Sequence, residues 1–142
     1  MTMFKNILVL TDGSEISKLT IEKAVALAQS VGAKITGLTV VQPSTEPHGT
    51  GTMMLGGHVV EDAAHEFLQD VQHAAAAAGV TAECFTMRSD SVHSAAVAAA
   101  ESRGCDLICM GTHGRSQLGK LFFGSELTGI LHECKIPVLV YR

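Results

Sequence analysis

A glycine-rich stretch near the carboxyl end of the chain has residue types suited to binding an anion. It reads GTHGRSQLGKLFFGSE. Two residues separate Gly111 from Gly114, nine separate Gly114 from Gly124, and Ser125 follows directly. Glycine lets backbone amides approach an anion closely, and a serine at the start of a helix caps it where the helix dipole is positive. Phosphate binding uses these features together. The spacing therefore favours a phosphate-binding loop, although a purely structural turn remains an alternative at this point.

Two common nucleotide-binding motifs are absent from the sequence. The P-loop needs Ser or Thr after its Gly-Lys pair, and here Leu121 follows Gly119-Lys120. No GxGxxG follows the first predicted strand, so a Rossmann dinucleotide site is not expected. A second polar turn, Thr11-Asp12-Gly13-Ser14, comes directly after that strand.

Alternating strand and helix patterns position these two stretches. Continuous apolar runs predict strands over residues 6–10, 34–41, 81–87, 106–110 and 137–141. Amphipathic or alanine-rich segments predict helices over residues 15–30, 58–78, 92–102 and 125–133. Between the second strand and second helix, Gln42 to Gly57 contains prolines and glycines and is interpreted as a long loop. This order is typical of an α/β fold with a doubly wound parallel sheet, and residues 1–142 are expected to form one domain.

The polar residues after strands one and four are expected to meet at one site. In open α/β sheets, ligands bind beyond the carboxyl ends of the strands, where the strand order reverses. Asp12 lies at the end of the first strand, where the strand order reverses, and is a candidate ligand contact. The alternative is that it only stabilises the turn. Arg115 and Lys120 are either phosphate contacts or solvated charges, and His113 either polarises a phosphate or shapes its turn.

Composition argues against several other classes of protein. The chain has a formal net charge of −4 and no basic tract, so nucleic-acid binding is not expected. No segment is apolar for the roughly 18 residues that a membrane span needs, and the first residues do not resemble a signal peptide. We therefore expect a soluble, cytoplasmic protein.

The cysteines and histidines show no metal-binding pattern. The four cysteines form no CxxC pair, and the histidines form no known metal pattern. The cysteines are therefore expected to be buried apolar residues, and no metal site is assigned.

Taken together, these segments resemble the universal stress protein family over essentially the whole chain. Gly111, Gly114, Gly124 and Ser125 match the motif G-x2-G-x9-G-[S/T] of its ATP-binding members. The segments NILVLTDGS, DLICMGTHG and IPVLV also resemble the family's opening strand, signature strand and final strand.

The resemblance implies a five-stranded parallel sheet of order 3-2-1-4-5 with four helices. It also implies a homodimer, formed through the final strand from Pro137 to Tyr141. A pairing of that kind would cover an apolar sheet edge that is otherwise a liability for aggregation.

The resemblance further implies a site for ATP, with ADP and AMP as alternatives and with Mg²⁺ or Mn²⁺ held by the phosphates where a metal is used. By position, Asp12 contacts the adenosine end and the backbone near Val40 borders the adenine. The glycine motif, Gly111, Gly114, Gly124 and Ser125, binds the ribose and the phosphates in this assignment. The residues that line or flank the site are Thr11, Met110, His113, Arg115 and Glu126. Glu126 departs from the family, which often has a small apolar residue there. Its carboxylate would repel phosphates unless it points away from them. We therefore expect Glu126 to modify nucleotide binding without abolishing it.

The favoured function is a regulatory nucleotide-binding homodimer that presents a surface to a partner protein in a stress response. One alternative is a slow ATPase or phosphotransferase. Hydrolysis needs a base or a positioned water, and Asp12 is the only obvious carboxylate near the site, so no catalytic residue is assigned. The other alternative is an adapter with an empty nucleotide site, which Glu126 favours and the intact glycine motif disfavours.

Overall fold

A computed structural model describes residues 3–41, 50–111 and 125–142. Its strands are β1 (Asn6–Leu10), β2 (Lys34–Val41), β3 (Ala82–Arg88), β4 (Leu107–Gly111) and β5 (Val138–Tyr141). Its helices are α1 (Glu15–Val31), α2 (Thr50–Ala77), α3 (Val92–Ser102) and α4 (Leu127–Glu133).

The five strands form one sheet in the order β3-β2-β1-β4-β5, and every neighbouring pair is parallel. This confirms the predicted fold class and strand order. The β1 strand is buried along its whole length, because helices cover both faces of the sheet. Its side chains alternate between two cores. Ile7 and Val9 pack with residues of α1 and α2, whereas Leu8 and Leu10 pack with residues of α3 and α4.

Local capping signals set the bounds of α1. The Ser14 hydroxyl accepts a hydrogen bond from the Ser17 backbone amide at 3.2 Å and so caps the first turn. At the other end, Gly32 adopts φ 76° in the left-handed region, which glycine enters without a Cβ penalty. The predicted end of this helix was one residue short of the observed one.

The segment interpreted as a loop from Gln42 to Gly57 is partly helical, and that prediction was wrong for its second half. Helix α2 begins at Thr50, while residues 42–49 lie outside the described residues. The prolines at 43 and 47 both precede the helix, and glycines inside a helix cost only about 1 kcal/mol each relative to alanine. A 28-residue helix can therefore include several glycines near its start.

A polar network centred on the buried Asn6 ties two strands and a turn together at the end of the sheet opposite the carboxyl ends. The Asn6 side-chain amide donates to the Arg103 carbonyl at 2.9 Å, and its Oδ1 accepts from the Thr36 hydroxyl at 2.8 Å. Next to it, the Asp106 carboxylate accepts from the backbone amides of Lys5 and Asn6. The network links β1 to β2 and to the turn before β4.

All four cysteines are free thiols, as expected; Cys105 and Cys109 are buried, and Cys84 and Cys134 are half-buried. Burial raises the pKa of the Cys109 thiol to about 12. Burial is also the main cause that raises the pKa of Cys84 and of Cys105. Since only the thiolate is nucleophilic, the folded protein protects these sulfurs from reaction.

We expect Asn6→Ala to lower the free energy of unfolding by about 1–3 kcal/mol, because it leaves the buried Thr36 hydroxyl without its acceptor. Urea unfolding would measure the change. Ser30→Ala is the matched control. It also removes a side-chain hydrogen bond to a carbonyl, that of Leu27 at 2.9 Å, but at an exposed position, and should change stability by less than about 0.5 kcal/mol. Equal losses in the two variants would contradict a special role for the buried network.

We expect iodoacetamide at pH 8 to leave Cys109 unmodified in the folded protein. With a pKa of about 12, roughly one molecule in ten thousand carries the thiolate at that pH. Peptide mapping by mass spectrometry would measure the modification, and the same reaction in denaturing urea should label Cys109 fully. Rapid labelling of Cys109 under native conditions would show that this strand opens readily.

Candidate functional site

A cleft of about 420 Å³, open to solvent, lies where the carboxyl ends of β1, β2 and β4 meet. This is the point at which the strand order reverses, since β1 pairs with β2 on one side and β4 on the other. Five of the predicted site residues line it: Thr11, Asp12, Val40, Met110 and Gly111. The other lining residues are Leu10, Ile16, Ser17, Leu38 and Val92. The structure therefore brings the turn after β1 and Gly111, the first residue of the glycine-rich stretch, to one cleft.

The Asp12 carboxylate is held in a fixed orientation by the turn between β1 and α1. Its Oδ1 accepts from the Ser17 hydroxyl at 2.8 Å and from the Ser14 backbone amide at 3.0 Å. The Asp12 backbone amide in turn donates to the Ser17 hydroxyl at 3.1 Å. Asp12 is thus both a turn residue and a wall of the cleft, so the two interpretations of this residue are compatible.

Gly13 is required by the backbone and by a close neighbour from another helix. It adopts φ 80°, in the left-handed region that favours glycine. A Cβ added there would overlap the ring of Phe67 from α2. Phe67 therefore packs directly over the turn that presents Asp12, a contact that no local sequence signal indicates.

Thr11 and Gly111 have structural roles beside their place in the cleft. The Thr11 carbonyl accepts from the buried Thr39 hydroxyl at 3.0 Å, and its backbone amide donates to the Leu38 carbonyl at 3.1 Å. A Cβ added to Gly111 would lie 2.7 Å from Cγ1 of Ile16. Gly111 thus lets the first turn of α1 pack against the end of β4.

The prediction that Ser125 caps the last helix was wrong. Helix α4 begins at Leu127, its N-cap position is Glu126, and no side chain makes a capping hydrogen bond there. Residues 125–126 instead form a wider, π-helical turn, and the Ser125 hydroxyl lies 3.4 Å from Glu126 Oε2. Helix α4 itself has seven residues.

The Glu126 carboxylate points toward the first turn of α3. Its Oε1 accepts from the His93 backbone amide at 2.7 Å and lies 2.9 Å from His93 Nδ1. The other ring nitrogen, Nε2, lies 3.4 Å from Glu133 Oε1. A Cβ on Gly129 would overlap the His93 ring, so this glycine makes room for the histidine. No sequence signal associates His93 with Glu126, since 33 residues separate the two.

Four predicted site residues, His113, Gly114, Arg115 and Gly124, lie outside the described residues. Within the ranges that the structure describes, no three His, Cys, Asp or Glu side chains are arranged to hold a metal ion. Over those same ranges, no helix is both long and apolar enough to cross a membrane.

Comparison with known proteins identifies the family. The profile of the Universal stress protein family matches residues 3–142. The chain belongs to the universal stress protein family. It is 32% identical over 144 residues to the universal stress protein in the QAH/OAS sulfhydrylase 3′ region of Thermus aquaticus. The alignment covers 99% of this chain and 100% of the relative.

Solved structures of the family share the fold. Universal stress protein UspA from Lactobacillus plantarum has a TM-score of 0.82 at 22% identity, over 97% of each chain. A universal stress protein in complex with cAMP has a TM-score of 0.68 at 23% identity, over 98% of this chain and 97% of that one. The universal stress protein from Archaeoglobus fulgidus in complex with dAMP has a TM-score of 0.67 at 15% identity, over the full length of both chains.

We expect Gly13→Ala to destabilise the protein more than Gly32→Ala does. Both glycines have positive φ, 80° and 76°, so both substitutions carry a backbone cost of about 1 kcal/mol. Only Gly13 meets another side chain, since nothing lies within 4 Å of a Cβ at Gly32. Overlap with Phe67 should therefore add about 1–3 kcal/mol to the loss. Urea unfolding of the two variants measures the difference, and indistinguishable losses would rule out a tight contact between Phe67 and the turn.

Proposed function

We propose that this universal stress protein binds an adenine nucleotide, ATP or its relatives ADP and AMP, in the cleft beyond β1, β2 and β4. The observation that carries the proposal is the cleft itself, with an oriented carboxylate at the switch point of a doubly wound sheet, where such folds bind ligands. The cleft is open to solvent and is lined by both apolar and polar residues. Structural relatives solved with cAMP and dAMP support an adenine nucleotide as the ligand.

The apolar and polar walls of the cleft suggest how the nucleotide lies. Val40, which is half-buried, and the edge of Val92 offer an apolar surface to the adenine ring. The Asp12 carboxylate, fixed by Ser14 and Ser17, is suited to accept hydrogen bonds from the ribose hydroxyls. This assigns the adenosine end of the ligand to the carboxyl ends of β1 and β2.

The phosphate end of the nucleotide is assigned to the glycine motif. Gly111 at the end of β4 begins that motif, and Gly114, Gly124 and Ser125 complete it. Backbone amides of a glycine-rich loop can bind phosphate oxygens, and His113 and Arg115 belong to the same stretch of sequence and are proposed as further contacts. Where a metal takes part, Mg²⁺ or Mn²⁺ would be held by the phosphates.

A regulatory homodimer is the second part of the proposal. Strand β5 stands at the edge of the sheet, and all four of its residues are only half-buried. Val138, Leu139 and Val140 thus present apolar surface at an edge with unpaired backbone groups, and pairing with the same strand of a second copy would cover both. We propose that the dimer acts in the cytoplasm, with nucleotide binding regulating its contact with a protein partner in a stress response.

Calorimetric titration of the purified protein with ATP, with and without Mg²⁺, tests the binding site. We expect Asp12→Asn to weaken ATP and adenosine alike by about tenfold or more, because a neutral amide replaces an ionised acceptor. Asparagine keeps an oxygen for the Ser14 and Ser17 contacts, so the turn is preserved. Asp70→Asn, an exposed position on α2, is the matched control and should bind as the wild type does.

The outcomes separate the proposed function from its alternatives. Loss of binding in the Gly114→Ala plus Gly124→Ala variant would support the glycine motif as the phosphate site. Release of inorganic phosphate from bound ATP over time would identify a slow hydrolase. No heat of binding and no nucleotide released on denaturing the wild type would overturn nucleotide binding and leave the adapter function.

A further inference from the structure

Ser17 is a polar residue that the fold buries at the wall of the cleft. It is the third residue of α1, it is only 5% exposed, and it lines the cleft together with Asp12. We propose that Ser17 is a positioning residue that holds the Asp12 carboxylate and thereby makes the cleft select ligands with ribose hydroxyls. The inference rests on the proposed nucleotide binding and concerns the sugar, a ribonucleotide being preferred to its deoxy counterparts.

The chemistry of its partners assigns every hydrogen bond of the Ser17 hydroxyl. Its Oγ lies 2.8 Å from Asp12 Oδ1, and an ionised carboxylate can only accept, so the single hydroxyl proton is donated there. Its oxygen accepts from the Asp12 backbone amide at 3.1 Å and from the Ser14 hydroxyl at 3.2 Å. A bond between a hydroxyl and a carboxylate is of the strong, charge-assisted kind. One hydroxyl therefore holds both the side chain and the backbone of Asp12.

Helix capping does not account for the direction of the Ser17 side chain. Ser17 lies three residues after the N-cap Ser14, a position from which a side chain can reach back to the N-cap backbone amide. That amide donates instead to Asp12 Oδ1 at 3.0 Å. The cap itself is the bond from the Ser17 backbone amide to the Ser14 hydroxyl at 3.2 Å, which Ser17→Ala would retain. The Ser17 side chain thus acts on Asp12 and not on the end of the helix.

The consequence for a ligand follows from the freedom of the carboxylate. Without the Ser17 hydroxyl, Asp12 Oδ1 loses one of the two donors of the turn, and the Asp12 backbone amide loses its acceptor. The carboxylate can then rotate and be solvated by water in the open cleft. An acceptor that must be reoriented and desolvated contributes less to binding than one already in place. The loss should therefore fall on ligands that offer hydroxyl donors to Asp12.

The test compares ATP with 2′,3′-dideoxy-ATP by calorimetric titration of the full chain. The two ligands share base and phosphates, so their ratio of affinities isolates the ribose hydroxyls. We expect the wild type to bind ATP about tenfold or more tightly than the dideoxy form. Ser17→Ala should reduce this ratio to about threefold or less, mainly by weakening ATP, because the dideoxy form makes no bond that depends on Ser17.

Thr20→Val is the matched control. Thr20 is a fully buried residue one turn further along α1, and its hydroxyl donates to the Ile16 carbonyl at 2.7 Å. The substitution removes a buried hydroxyl from the same helix without removing a bond to Asp12, so the wild-type ratio should remain. Asp12→Asn should also lower the ratio, and adding Ser17→Ala to it should lower the ratio no further, because Ser17 acts through Asp12.

A second variant separates the lost hydrogen bond from a packing defect. Ser17→Cys occupies the space of the side chain, but its thiol is a weak donor, so the ratio should again fall. Thermal unfolding of each variant shows whether it is folded at the titration temperature.

Three results would contradict the inference. It is overturned by a wild-type ratio in both Ser17 variants, or by an equal fall of the ratio in Thr20→Val. A wild type that binds ATP and its dideoxy form equally well would also overturn it, while nucleotide binding itself stood. Failure of the wild type to bind either ligand would overturn the proposed function as well.

Discussion

The site depends on one constraint, the burial of β1 between two parallel neighbours with helices on both faces. Both hydrogen-bonding edges of β1 are used by β2 and β4, and its side chains alternate between the α1 and α2 core and the α3 and α4 core. The chain therefore leaves β1 toward the face covered by α1, while α4, the helix that follows β4, packs on the other face. The two paths diverge at the carboxyl end of β1, and the cleft is the space between them.

Sequence signals predicted the elements around this constraint well, because those signals are local. The bounds of β1, β2 and α3 were predicted to the residue, since continuous apolar runs, a Ser91 cap and an alanine-rich face leave few alternatives. Asp12 and Gly111 were placed at the right edge of the sheet for the same reason. Two predictions were wrong: the start of α2, which is Thr50, and the capping of α4 by Ser125. At both positions the local sequence leaves several backbone conformations possible, and packing against the rest of the fold selects one of them.

Contacts between distant residues were not predictable from patterns in one sequence. Two contacts join residues that are far apart in the chain: Phe67 packs over Gly13, and Glu126 binds His93. No periodic pattern or residue spacing in the sequence indicates either pair. Both contacts are made possible by glycines, Gly13 in the turn and Gly129 in α4. Gly111 belongs to the same class, since Ile16 packs where its side chain would be. The packing of α1 against the end of β4 is therefore enough to explain the glycine at position 111.

The electrostatics of the site follow from where its charges are held. Helix α4 has no side-chain capping hydrogen bond at Glu126. The Glu126 side chain instead reaches α3, where its Oε1 accepts from the His93 backbone amide at 2.7 Å and lies 2.9 Å from His93 Nδ1. The amides and the dipole at the first turn of a helix favour a negative charge there. The packing of α3 against α4 therefore decides where the charge of Glu126 is held, and the residues next to it in sequence do not.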